Sequence, residues 1–354
     1  RWRPRVLRPA DRGGRGREGL RLDVSGRRSR GRSDEIAREH VGLTTDEDRG
    51  RRGQVSPPPN PDSFFRVRDR VVELKVHRLL WSGDHPENSL SALGECARER
   101  VIRAEIDLAM LRDRDFALLH DDRLEKRTTG RGRVSAAKAA ELGRVRFKGT
   151  DERPALLSEF VAVLARAPYP RLVELDMKDE EPLPWARIEE LARLVQPVKA
   201  RVVFGSPADW NLRRLLAVDR SLPVSLNPHS YIDFGERGGH LRRGAYGYQD
   251  AHPLAGRRFT SAADYLRDRF GGVLRLVPGI REVHVRSRMF ERMLEDVPTA
   301  ADIFHAFDVK LDVWTLDAGT ARWRERFARV VAGGVDIVTT NTAPALAAAG
   351  RKLA

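Results

Sequence analysis

In the segment AEIDLAMLRDRDFALLHDDRLEKRTTGRG, residues 104–132, Glu105 and Asp107 stand two positions apart in an otherwise apolar run. Residues i and i+2 of an extended strand point the same way, so the two carboxylates share a face opposite Ile106 and Leu108. Held that close, they repel unless a cation neutralises them. The stretch VELDMK repeats the geometry with Asp176 and Lys178, and Glu174 lies deeper on the same face. A lone carboxylate on a strand is most often a salt-bridge partner. Three at the ends of successive strands offer hard oxygen ligands, suited to Mg²⁺ or Ca²⁺ rather than zinc.

Histidine supplies what such a cluster lacks, a group that exchanges protons near neutral pH. His77 ends the run VVELKVH and forms an i, i+2 pair with Lys75, while His120 ends FALLH. His229 in LNPHSY is a further candidate for the pocket wall; His284 and His305 read as structural. Arg78 and Lys178 add fixed positive charge. With a divalent ion they suit an anionic substrate whose charge develops on non-bridging oxygens, as in phosphoryl chemistry. TTGRG lacks the GK[ST] arrangement of a nucleotide-binding P-loop and reads as a turn presenting Arg127 or nearby hydroxyls.

These residues need elements that bring them together. Strand-type runs occur at 71–77, 102–108, 171–178, 199–205, 222–228, 281–287, 310–317 and 336–341, with helix-compatible sequence between most of them. Eight such alternations predict a (β/α)8 TIM barrel, in which the strands' C-terminal ends carry the site. A long stretch between the second strand and its helix predicts an insertion on that face, and the segment around 240–270 an excursion from the barrel. The barrel domain is expected over residues 70–350 and a basic, Gly/Pro/Arg-rich disordered tail over 1–65, with at most a short helical piece in SDEIAREHVGL.

The first 60 residues hold 16 Arg or Lys against 9 Asp or Glu, half of the net charge of +14. The body is only mildly basic, so no specific nucleic-acid partner is expected. A single Cys96 excludes an internal disulfide framework and any multi-cysteine metal site, and its apolar setting predicts a buried thiol. No apolar run approaches the roughly 20 residues needed to span a bilayer, and no signal-peptide pattern opens the chain. A cytoplasmic protein is therefore expected, with secretion left open because the chain does not begin with Met.

Together HRLLWSGDHPENSLSAL (77–93), the 104–132 segment, VELDMK, DVWTLD (312–317) and GVDIVTTNTAP (334–344) resemble the glycerophosphodiester phosphodiesterase family, in the family's order and over almost the whole body. The resemblance implies a (β/α)8 barrel that hydrolyses phosphodiesters with one divalent cation, Mg²⁺ or Ca²⁺. It implies metal ligation by Glu105, Asp107 and Asp176 and acid–base catalysis by His77 and His120. Arg78 and Lys178 would engage the phosphate, Trp314 would line the mouth, and Glu87 would assist. Asn88 of the same PEN element would cap the helix that begins near Ser89.

Three departures from the family pattern stand out. Leu79 replaces the glycine of His-Arg-Gly and is expected to alter access beside the phosphate. Asp176 replaces a glutamate, a feature shared with the related sphingomyelinase D group. VTTN replaces T-D-x-P. The expected substrate is a glycerophosphodiester. One alternative is a phospholipid or lysophospholipid headgroup, which needs an apolar mouth to which Leu79, Leu80, Trp81 and Phe234 would contribute, with transient membrane contact and a cyclic phosphate product. The other is a catalytically silent anion-binding barrel, with scattered carboxylates and a binding tail.

Overall fold

The computed structural model describes residues 57–232 and 261–353. Most of the expected tail, the SDEIAREHVGL piece and Phe234 lie outside the described residues. The last residues of the expected tail, from Pro57, lead into the β1 strand (Phe64–Val67), which pairs antiparallel with β2 (Arg70–Val76). Phe65 is buried there and meets Phe327 edge-to-face at 5.4 Å.

Eight parallel strands close into a barrel. They are β2, β3 (Arg103–Met110), β5 (Leu172–Met177), β6 (Val202–Ser206), β7 (Val224–Leu226), β8 (Ile280–Arg286), β9 (Lys310–Trp314) and β10 (Ile337–Thr340). Pairing of β2 with both β10 and β3 closes the ring. Every strand expected from sequence is present. The short β4 (Phe116–Ala117) pairs antiparallel with the end of β3 and begins the insertion, which reaches to the helix α1 (Leu157–Arg166). That insertion builds its own small core from residues including Leu111, Leu119, Leu124, Val134, Leu142 and Phe147.

Alternation along the strands divides the molecule. Ala104, Ile106 and Leu108 of β3, with Val173, Leu175 and Met177 of β5, join the main hydrophobic core outside the ring. Helices meet them with stripes at helical spacing, such as Leu157, Phe160, Val161 and Leu164 of α1. The opposite strand faces point inward and are charged. Arg103, Glu105 and Asp107 of β3, Glu174 of β5, and Lys75, Glu282, His284 and Asp312 are all buried. Barrel interiors are ordinarily layered with bulky branched residues; here ion pairs replace much of that packing. Among the described residues no helix is long and apolar enough to cross a membrane.

Candidate active site

A cavity of about 110 Å³ opens at the strands' C-terminal ends, lined by His77, Arg78, Glu105, His120, Asp176, Lys178 and Trp314 among others. Cross-strand register explains the convergence: Glu105 pairs with Glu174 and Asp107 with Asp176, so the ExD and ExD faces of β3 and β5 lie side by side. One oxygen from each of Glu105, Asp107 and Asp176 lies within 4.8 Å of the other two. The three predicted ligands are brought together.

Asp107 is fully buried and held on three sides, by Arg78 Nε at 3.1 Å, Lys178 Nζ at 2.8 Å and Asn88 Nδ2 at 2.8 Å. Burial alone would raise its pKa; the charges of Lys178 and Arg78 prevail and lower it to about 2. Glu105 is placed differently. It accepts the Arg78 backbone N–H at 2.8 Å, and His77 Nε2 stands 3.9 Å away. Burial and the neighbouring Asp107 charge raise its pKa well above the carboxylate range. Asp176 accepts from Lys178, whose own pKa is pushed up against burial by Asp176 and Asp107. Three carboxylates thus face two direct cations, Arg78 and Lys178. The donor set fits a divalent ion: it is all oxygen, and one negative charge is left without a partner.

The histidines line the same cavity from different loops. Asn341, just past β10, donates its side-chain Nδ2 to Asp317 Oδ2 at 2.8 Å and its backbone N–H to Asp317 Oδ1 at 2.7 Å. The Asn341 carbonyl oxygen therefore faces His77 Nδ1 at 3.0 Å and accepts its proton. That leaves the lone pair of His77 on Nε2. Burial, reinforced by the Arg78 charge, lowers the His77 pKa, so the ring is neutral near pH 7. Burial also lowers the pKa of His120 against the pull of Asp107; its Nδ1 lies 3.5 Å from Asp121.

Several expectations change. Asn88 does not cap the helix. Ser89 does, accepting from Ala92 N, while Asn88 exchanges two hydrogen bonds with Asp107 from a left-handed backbone at φ 60°. Leu79 does not line the cavity. Its backbone is left-handed at φ 63°, which turns the side chain into the hydrophobic core, where it is 0% exposed. His229 does not line the cavity; its ring meets Trp314 edge-to-face at 5.7 Å and accepts the Arg286 N–H. Glu87 binds Arg78 at 3.1 Å and Arg127 at 3.3 Å, so the TTGRG turn does present Arg127 toward this side. Asn341 and Asp317 were missed as functional residues. The only trace of them in sequence was the altered VTTN ending and the last residue of DVWTLD.

A second group lies one inward layer down. Glu174, His284 and Asp312 also place ligand-type atoms within 4.8 Å of one another. Lys75, 1% exposed, contacts Glu174 Oε2 directly and Asp312 Oδ2 at 2.5 Å, and His284 Nδ1 donates to Glu174 Oε1 at 2.7 Å. Burial opposes charge on the His284 ring, yet Glu174 raises its pKa to about 9. In return His284 and Lys75 bring Glu174 down to about 2.

Residues 81–227, which include Glu105, Asp107, His120, Asp176 and Lys178, match the family model of the glycerophosphoryl diester phosphodiesterase family. Over that stretch the chain is similar to the family. The solved structures agree in fold. A Galdieria sulphuraria protein assigned as a glycerophosphodiester phosphodiesterase superposes with a TM-score of 0.57 at 16% identity, covering 79% of this chain and 97% of that one. An Oleispira antarctica phosphodiesterase in complex with the product sn-glycerol-3-phosphate gives 0.56 at 19% identity, covering 78% and 95%. An uncharacterised Sinorhizobium fredii protein, y4eD, is 33% identical over 134 residues, 32% of this chain and 35% of that protein. The match thus spans about a third of that curated relative's length.

Proposed function

We propose that this chain hydrolyses a glycerophosphodiester to glycerol phosphate and an alcohol. The observation that carries the reading is the meeting of His77, His120, Arg78, Lys178, Glu105 and Asp176 around one cavity, with Asp107 directly behind them. Glu105, Asp107 and Asp176 would hold one Mg²⁺ or Ca²⁺, which when bound polarises a non-bridging phosphate oxygen. Arg78 and Lys178 orient and neutralise the phosphate. His77 Nε2 takes the proton of the attacking hydroxyl, either water or a neighbouring hydroxyl of the substrate. The bond from phosphorus to the departing ester oxygen breaks, and His120 delivers a proton to that oxygen. The anionic phosphate beside His120 raises its pKa when substrate is bound and supplies the charged ring this step needs. Trp314 forms one side of the mouth and Glu87 holds Arg78 in place.

The test follows glycerophosphocholine turnover by ³¹P NMR in the wild type, His77→Ala and His120→Ala, with Mg²⁺ or Ca²⁺ added. Each variant is expected to lose about 10²–10⁴-fold in kcat. Full activity in a folded variant would remove that histidine from the mechanism. The same spectra distinguish a linear monoester from a cyclic phosphate, the product of internal attack.

The lipid-headgroup reading keeps the same machinery, but Leu79 is withdrawn from its apolar mouth and Trp81 is partly buried against the core. Lysophospholipid turnover faster than glycerophosphocholine turnover would favour it. The silent-barrel reading requires scattered carboxylates, and the ligand atoms of Glu105, Asp107 and Asp176 lie together.

A further inference from the structure

The lower group of Glu174, His284 and Asp312 has the composition of a metal site, two carboxylates and an imidazole. His284 is 5% exposed and lines the same cavity, and its Nε2 has no hydrogen-bond partner. That nitrogen lies 3.8 Å from Glu282 Oε2 and 4.0 Å from Asp312 Oδ2. An unpartnered ring nitrogen, which offers a ligand lone pair once the ring gives up its proton, is therefore directed into a cluster of carboxylates. What separates this group from a metal site is Lys75. Its ammonium sits between Glu174 and Asp312, and Thr339 Oγ1 closes on Asp312 at 2.9 Å.

The surrounding charges are already matched. Glu174, Asp312 and Glu282 face Lys75, a protonated His284 and Arg103, whose Nη1 lies 2.7 Å from Glu282. An incoming divalent ion would have to displace an ammonium that is almost fully enclosed near the C-terminal end of β2. Stranding a buried charge without its partner costs several kcal/mol.

We propose that Lys75 is the resident cation of a latent metal site. Its ammonium takes the place a divalent ion would occupy, so the chain binds one divalent ion, at Glu105, Asp107 and Asp176. Removing the ammonium converts Glu174, His284 and Asp312 into a second site. Four lower residues lie two positions before a residue of the upper site or its support: Lys75 before His77, Glu174 before Asp176, Asp312 before Trp314 and Thr339 before Asn341. The lower layer thus forms a charged floor that needs no metal to be complete. The inference rests on the reading of the upper cluster as the ion's holder.

Mn²⁺ stoichiometry, read by isothermal titration and by EPR of the free ion near neutral pH, tests both layers on the full chain. Circular dichroism checks the fold of each variant. The wild type is expected to bind one ion, Glu105→Gln/Asp107→Asn none, and Lys75→Met two. Lys75→Gln provides a second neutral replacement should the methionine variant not fold. One ion retained by Glu105→Gln/Asp107→Asn would show that the lower group binds metal with Lys75 present, and would overturn the proposal. So would a folded Lys75 variant that gains no ion over the wild type. A wild type that binds none, beside a Lys75 variant that binds one, would instead sink the upper site and leave the role of Lys75 standing.

Discussion

Two carboxylate clusters share this barrel, one inward-facing layer apart, and their chemistry diverges because of the cations placed around them. In the lower layer Lys75, His284 and Arg103 answer Glu174, Asp312 and Glu282, and Glu73, which shares Arg103, is approached in turn by Lys310. In the upper layer Lys178 and Arg78 serve three carboxylates and leave Glu105 short of a partner, its pKa raised. A completed ion network is rigid and inert; an incomplete one is open to a ligand. Residue type alone does not distinguish a floor from a site, and the difference here is one positive charge.

The strongest way to break the comparison is to disturb the floor while leaving the site residues in place. A Cβ added at Gly205 would lie 2.3 Å from Glu174 Oε1, so Gly205→Ala must push Glu174 off Lys75 and His284. Breaking a buried pair costs about 3–5 kcal/mol, which should lower the melting temperature by about 10 °C in a domain of this size. A melting curve unchanged in Gly205→Ala would mean that the lower network contributes little.

Titration isolates the same layer more gently. The folded pKa of His284, about 9, lies above its unfolded value of roughly 6.5. Folding therefore favours the protonated ring. Its contribution is fully present below pH ~6.5 and is lost as pH rises through about 9, amounting to roughly 3 kcal/mol. Urea unfolding at pH 6 and pH 9.5 should show that loss in the wild type and a flatter dependence in His284→Gln. Parallel pH curves for the two proteins would refute it.

The smallest effect sharpens the upper layer. Leu79→Gly removes a buried side chain, at about 2–5 kcal/mol, but relieves a left-handed backbone worth about 1–3 kcal/mol. A net loss of about 2 kcal/mol is expected in chemical denaturation, with kcat/KM for glycerophosphocholine within about threefold of wild type. A large change in activity at a temperature where the variant is folded would return Leu79 to the substrate's path.

Much of this arrangement was legible in the chain. Alternation in AEIDL and VELDM gave both the strands and the inward face of Glu105, Asp107 and Asp176, because a period of two leaves no other option when Ile106, Leu108, Leu175 and Met177 must be covered. Cys96 is buried as its apolar setting required. What failed had a local cause. Asn88 looked like a cap because it stands beside a helix start, and Leu79 looked like a wall because it follows the site arginine. Their backbones turn left-handed, at φ 60° and 63°, and send the side chains elsewhere. Asn341 and Asp317 gave no periodic signal, since their role depends on a meeting of separate loops.

Sequence by itself determined the strands, their inward faces and the kinds of groups those faces carry, since these follow from alternation and side-chain chemistry along a single segment. Tertiary structure decided which charges meet. Lys75 reaches Glu174 across 99 residues of chain, and Asn341 fixes the tautomer of His77 across 264. Closure of the barrel sets those distances, and Coulomb energy depends on distance in space. The same kinds of acidic side chain are therefore neutralised by buried cations in one layer and left one cation short in the next.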